Sequence, residues 1–128
     1  MMLTVSDFTS ILKQKHPSIK FFKGCISKNE KCVGVYARGN ATPPSAIGSD
    51  PSYRILPITL LIHWGENSTE CEEIANSLYE SLEEPIYEIK DLRVIQAQLL
   101  ESSPVNMGRD DNNICEMTIR FNLLYERR

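Results

Sequence analysis

The chain is poor in the residues on which much small-enzyme chemistry depends. It has only two histidines, His16 and His63. One falls at the end of an expected helix and the other inside an expected strand, so no local motif pairs either with a nucleophile. Glycine-rich phosphate loops are absent too. Gly34, Gly39 and Gly48 follow neither the P-loop nor the dinucleotide pattern. Basic runs are short: no run of Lys and Arg exceeds two residues, and the net charge is −3. Nucleic-acid readers carry a basic footprint, and this chain gives no electrostatic reason to expect one. Tyr36-Ala37-Arg38 and Lys20-Phe21-Phe22-Lys23 interleave aromatic and basic residues only loosely, and strand aromatics are expected in the core. No stretch approaches the roughly 20 apolar residues of a membrane span. Met1-Met2-Leu3-Thr4 lacks the charged and apolar regions of a signal peptide. No membrane partner is expected, and a reducing compartment is.

Close metal-ligand spacing is also missing. Structural zinc sites use pairs such as C-x2-4-C. Cys25 and Cys32 are farther apart, and Cys71 and Cys115 are solitary. Cys25 and Cys32 could face each other across a hairpin as a disulfide or half-site, but packing of free thiols is the expectation. Asp110-Asp111 can at most hold a cation weakly, because its loop lacks the oxygen spacing of a calcium site. No catalytic residue, metal or cofactor is expected.

What is present is ordinary globular material. The chain has 128 residues, 41% hydrophobic and 24% charged, which fits one domain spanning 1–128. Thr4 and Asp7 form a capping signature ahead of Val5, Phe8, Ile11 and Leu12 at helical spacing, and Pro17 stops that helix, expected at about 5–15. Ile19–Ile26 and Lys31–Arg38 read as an antiparallel hairpin about Lys28-Asn29. Phe22 then faces Val35, and Lys23 faces Gly34. The stretch 39–52, GNATPPSAIGSDPS, is a long loop. Tyr53–Trp64 is a strand, in which Pro57 suggests an edge or a bulge.

Asn67, Ser68 or Thr69 can cap a second helix whose buried stripe is Cys71, Ile74, Ala75, Leu78 and Leu82, ending at Pro85. In the next strand Ile95, Ala97 and Leu99 alternate with Val94, Gln96 and Gln98. A polar loop of about 102–113 leads to the sharpest period-2 signal: Cys115, Met117, Ile119, Phe121, Leu123 and Tyr125 alternate with Glu116, Thr118, Arg120 and Asn122. The expected class is α+β: a mostly antiparallel sheet in the order α-β-β-β-α-β-β, with two helices on one face.

Three blocks in this order resemble a phage family. Pro51-Ser52-Tyr53-Arg54 runs into Ile58, Leu60 and Ile62 and then the helix at 70–82; Val94–Leu100 follows; Pro104 to Asn113 then leads into Cys115–Leu123. Over about residues 20–125 the chain resembles the minor capsid or tail-terminator proteins of long-tailed phages and prophages of Gram-positive bacteria. In that family a Gly-Arg-Asp-(Asp/Glu)-Asn-Gly type loop precedes an alternating terminal strand, and Asn113 stands where the family often has glycine.

The resemblance implies a structural virion protein at the head–tail neck, assembled in the bacterial host cytoplasm, and not an enzyme. Its partners would be copies of itself in a ring, commonly a hexamer, together with the tail-tube protein and the head–tail connector. DNA would pass through the ring without sequence-specific contact. Ring contacts are heterologous, so two different patches are needed. The candidate interface residues are Arg38, Pro43, Pro44, Tyr53, Arg54, Met107, Gly108, Arg109, Asp110 and Asp111. Arg109 and Asp110 can either pair with a neighbour or stabilise their own loop. The competing expectation is a small cytosolic enzyme or regulator, which requires Cys71 or Cys115 near His63.

Overall fold

The computed structural model describes residues 2–26, 31–39, 53–84, 87–89 and 91–127. The turn expected at Lys28-Asn29 and most of the 39–52 loop, including Pro43 and Pro44, lie outside them. Two helices, α1 (Val5–Lys15) and α2 (Ser68–Glu83), accompany strands β1 (Phe21–Lys23), β2 (Cys32–Ala37), β3 (Arg54–Gly65), β4 (Tyr87–Ile89), β5 (Leu92–Leu99), β6 (Val105–Arg109) and β7 (Cys115–Arg127). Among the described residues the sheet has seven strands in the order β1-β2-β3-β7-β5-β4, with β6 paired to β7 off that path.

Both helices begin where their caps dictate. Thr4 Oγ1 accepts from Asp7 N at 3.1 Å while Thr4 N donates to Asp7 Oδ2 at 3.2 Å, a reciprocal capping box. Asn67 Oδ1 accepts from Thr69 N and Glu70 N at the start of α2. Phe8, Ile11 and Leu12 of α1 and Cys71, Ala75, Leu78 and Leu82 of α2 are buried, with Ile74 packed alongside. They cover one sheet face, where Ile58 opposes Phe121 and Leu60 opposes Ile119. The rings of Phe8 and Phe121 meet edge to face at 5.8 Å between centroids. His16 caps α1 and places Nε2 3.2 Å from Ser81 Oγ of α2.

Four expectations need correction. First, β1 and β2 are parallel, not a hairpin: Phe21 opposes Val33, Phe22 opposes Gly34 and Lys23 opposes Val35. Gly24 takes a φ of +71° and turns the chain out of β1. Cys25 and Ile26 then cross over Gly34, where a Cβ would stand 2.8 Å from Cys25 O.

Second, two strands join the expected order, β4 and β6. Third, β3 lies in the sheet interior, so Pro57 is not on an edge strand. Pro57 O accepts from Arg38 N at 3.0 Å, so its donorless nitrogen faces the side where β2 has just ended at the Ala37–Ile58 pair. Fourth, a bulge between Val94 and Gln96 breaks the alternation in β5. Val94 and Ala97 are buried and Ile95 is 45% exposed.

Burial, followed by the neighbouring Lys15 charge, lowers the His16 pKa below its ordinary value. The unfolded chain therefore binds the extra proton first as pH falls through about 6.5. Stability should decline on acidification from about pH 7.5 to 5.5, and His16→Gln should flatten that part of a melting-temperature profile. The Glu101 carboxyl is held low mainly by hydrogen bonding to Arg120, which lowers its titration to a more acidic range. Its contribution is lost only as pH falls through that lower folded value.

Candidate functional site

The second half of the candidate interface is built on β6, its following loop and the start of β7. β6 opposes β7 from Val105–Thr118 to Arg109–Cys115, with a bulge between Asn106 and Gly108. Gly108 takes a φ of +87°, and its N–H donates to Asn106 Oδ1 at 2.8 Å. Met107 lies within this bulge and is 60% exposed. The loop beyond closes on itself. Asp110 Oδ1 accepts from Asn112 N at 2.8 Å and from Ile114 N at 2.9 Å, and Asp110 N donates to Ile114 O at 3.0 Å. Asn113 adopts a φ of +65°. Asparagine tolerates this left-handed conformation better than most residues with a side chain, so it can supply the turn at a position where glycine would also fit.

Arg109 fastens this loop to the rest of the molecule. Its Nη1 donates to Asn113 O at 2.9 Å and to Glu66 O at 3.1 Å, in the turn between β3 and α2. Trp64 Nε1 and Lys31 Nζ both donate to Glu70 Oε1, at 2.9 and 2.7 Å, which ties the first turn of α2 to the sheet. Those hydrogen bonds, Lys31 first, hold the Glu70 carboxyl below its ordinary pKa. A cleft of about 400 Å³ lies between this first helical turn and β6, with Ser68, Glu72, Pro104, Asn106 and Met117 among its walls.

The other expected residues are placed apart from this group. Arg38 reaches across the face away from the helices: one guanidinium nitrogen donates to Ile58 O and the other to Asn122 Oδ1 at 2.6 Å. Asn122 in turn donates to Gln98 Oε1 at 3.3 Å, so a polar row crosses β3, β7 and β5. Tyr53 and Arg54 are exposed at the start of β3, and Asp111 is exposed in the loop.

The thiols do not meet the geometry of a Cys71–His63 or Cys115–His63 site. Glu116 turns toward His63 on the outer face, so its neighbour Cys115 points the other way. Cys115 sits in the core with Cys71, whose Sγ lies 3.7 Å from Cys115 O. Burial, reinforced by neighbouring acidic groups, pushes the Cys71 thiol up to about 11. No disulfide joins the four cysteines, and Cys25 is the exposed one. A disulfide reagent under native conditions should therefore titrate one thiol rapidly, and four after denaturation. Rapid native reaction of Cys71 would contradict this burial.

The fold and its surfaces define an α+β domain that offers strand edges and a bonded loop for contact. No helix among the described residues is long and apolar enough to cross a membrane. The family model for bacteriophage tail terminator proteins matches residues 12–127, and the chain belongs to that family. It is thus a phage tail structural component of the virion, in a family whose role points away from enzyme activity. No curated protein sequence matches it.

Proposed function

We propose that this chain is the terminator at the head–tail neck, forming a ring, commonly a hexamer, that caps the tail tube, stops its polymerisation and joins it to the head connector. The observation that carries the geometric part is the pair of unlike sheet sides. One ends in β1, while the other ends in β4 and in β6 with its exposed Met107. A head-to-tail ring needs two different patches of this kind, and strand edges offer backbone groups for pairing. The loop 104–113 resembles that of phages and prophages of Gram-positive bacteria, the host range this reading adopts. DNA would pass through the ring without sequence-specific contact, a reading supported by the net charge of −3.

Electron microscopy of the protein alone and with purified tail tubes tests the reading. Rings seated on tube ends are the expected result. A chain that stays monomeric with tubes and leaves tail length unchanged when its gene is removed would overturn it.

A further inference from the structure

The outer sheet face carries a cluster of one imidazole and two carboxylates. His63 of β3 opposes Glu116 of β7 in register, and the loop after β6 brings Asp110 over both. His63 is 1% exposed, while Asp110 and Glu116 are half-buried. Its Nδ1 lies 3.0 Å from Glu116 Oε2 and 3.9 Å from Asp110 Oδ2. The three potential ligand atoms all lie within 4.8 Å of one another.

We propose that His63, Asp110 and Glu116 form a binding site for a divalent transition cation of the zinc type. Bonds of about 2.0 Å to a tetrahedral ion place its ligands about 3.3 Å apart. The two separations from His63, 3.0 and 3.9 Å, bracket that spacing, and the two carboxylates lie within 4.8 Å of each other. One imidazole with two carboxylates suits zinc or cobalt better than calcium, which takes six to eight oxygens. The ligands are also held in place. Strand pairing fixes His63 beside Glu116, and the two backbone N–H groups on Asp110 Oδ1 turn Oδ2 toward the histidine. Supporting hydrogen bonds of this kind orient carboxylate ligands. Three protein ligands leave a tetrahedral ion one position for water or for a donor from another molecule. A bound ion would pin the 110–114 loop to β3, and with it the end of β6.

Calorimetric titration of the full chain with Zn2+ should give one site, with a rise in melting temperature. Asp110→Asn keeps an oxygen acceptor for the loop, and Glu116→Gln keeps one beside His63. Each should weaken binding at least about tenfold while leaving the far-ultraviolet circular dichroism unchanged. Cys32 opposes His63 on the same face, so the ligand set must be distinguished from a thiolate site. Co2+ should bind without a thiolate-to-metal charge-transfer band, and Cys32→Ser should retain affinity. Absence of Zn2+ binding, binding that survives both carboxylate substitutions, or a thiolate band would each overturn the assignment. If both variants lose their fold, the Zn2+ titration and Co2+ spectrum of the unaltered chain decide.

Discussion

Phe121→Ala should cost about 4 kcal/mol of folding stability, measured by urea denaturation. Phe121 is fully buried. It opposes Ile58 on one neighbour and Leu99 on the other, and it meets the ring of Phe8 from α1. Removing the ring loses transfer free energy and leaves a cavity between sheet and helix. Collapse around it is restricted, because β7 is held by strands on both sides. Small domains have only about 5–15 kcal/mol in total, so the variant should unfold at a much lower denaturant concentration. A loss under about 1 kcal/mol would mean that α1 does not pack on this face as described.

Gly34→Ala should destabilise by about 2 kcal/mol. A Cβ at this position would stand 2.8 Å from Cys25 O, 2.8 Å from Ile26 Cγ2 and 2.7 Å from Tyr36 Cε2. The tyrosine can swing aside, but the backbone oxygen moves only with the crossover itself. An antiparallel hairpin predicts the opposite sign. There Gly34 faces Lys23 with room to spare, and alanine in a strand gains roughly 0.5–1 kcal/mol over glycine. One denaturation curve therefore separates the two topologies. A stabilised variant would restore the hairpin.

Local signals make some of the fold legible in the sequence, while contacts between distant segments leave no such mark. Phe21, Phe22, Val33 and Val35 alternate acceptably in either direction, so periodicity gave no means of choosing. The deciding contact is between Gly34 and a segment that crosses it, which spacing does not encode. The helices were legible because their signals are local: Thr4 with Asp7, Asn67 before Glu70, and two apolar stripes. β7 was legible because its alternation runs nearly unbroken for thirteen residues.

β6 reads as loop in the sequence because it is short and flanked by Ser, Pro, Asp and Asn, and β4 has only three residues. Ile95 was misplaced because a bulge shifts the face without changing the composition. At the candidate interface, the Gly108-Arg109-Asp110 loop was found through its resemblance. Its attachment to Glu66 was not, since a backbone carbonyl leaves no mark in a sequence. His63, Asp110 and Glu116 come from three segments and meet only through register, so no spacing rule could have joined them.

β7 has a consequence for how the protein is made. It is hydrogen-bonded to β3 along one side and to β5 and β6 along the other. A nascent chain that has not yet released residues 115–127 from the ribosome has β5 and β6 without their shared partner and β3 with one side open. Most of the pairings that close the sheet are distant in sequence and form last. The domain therefore cannot complete itself progressively from its beginning. Translation that halts early leaves β5 and β6 without their shared partner, and such a fragment exposes apolar surface and unpaired strand edges that favour aggregation.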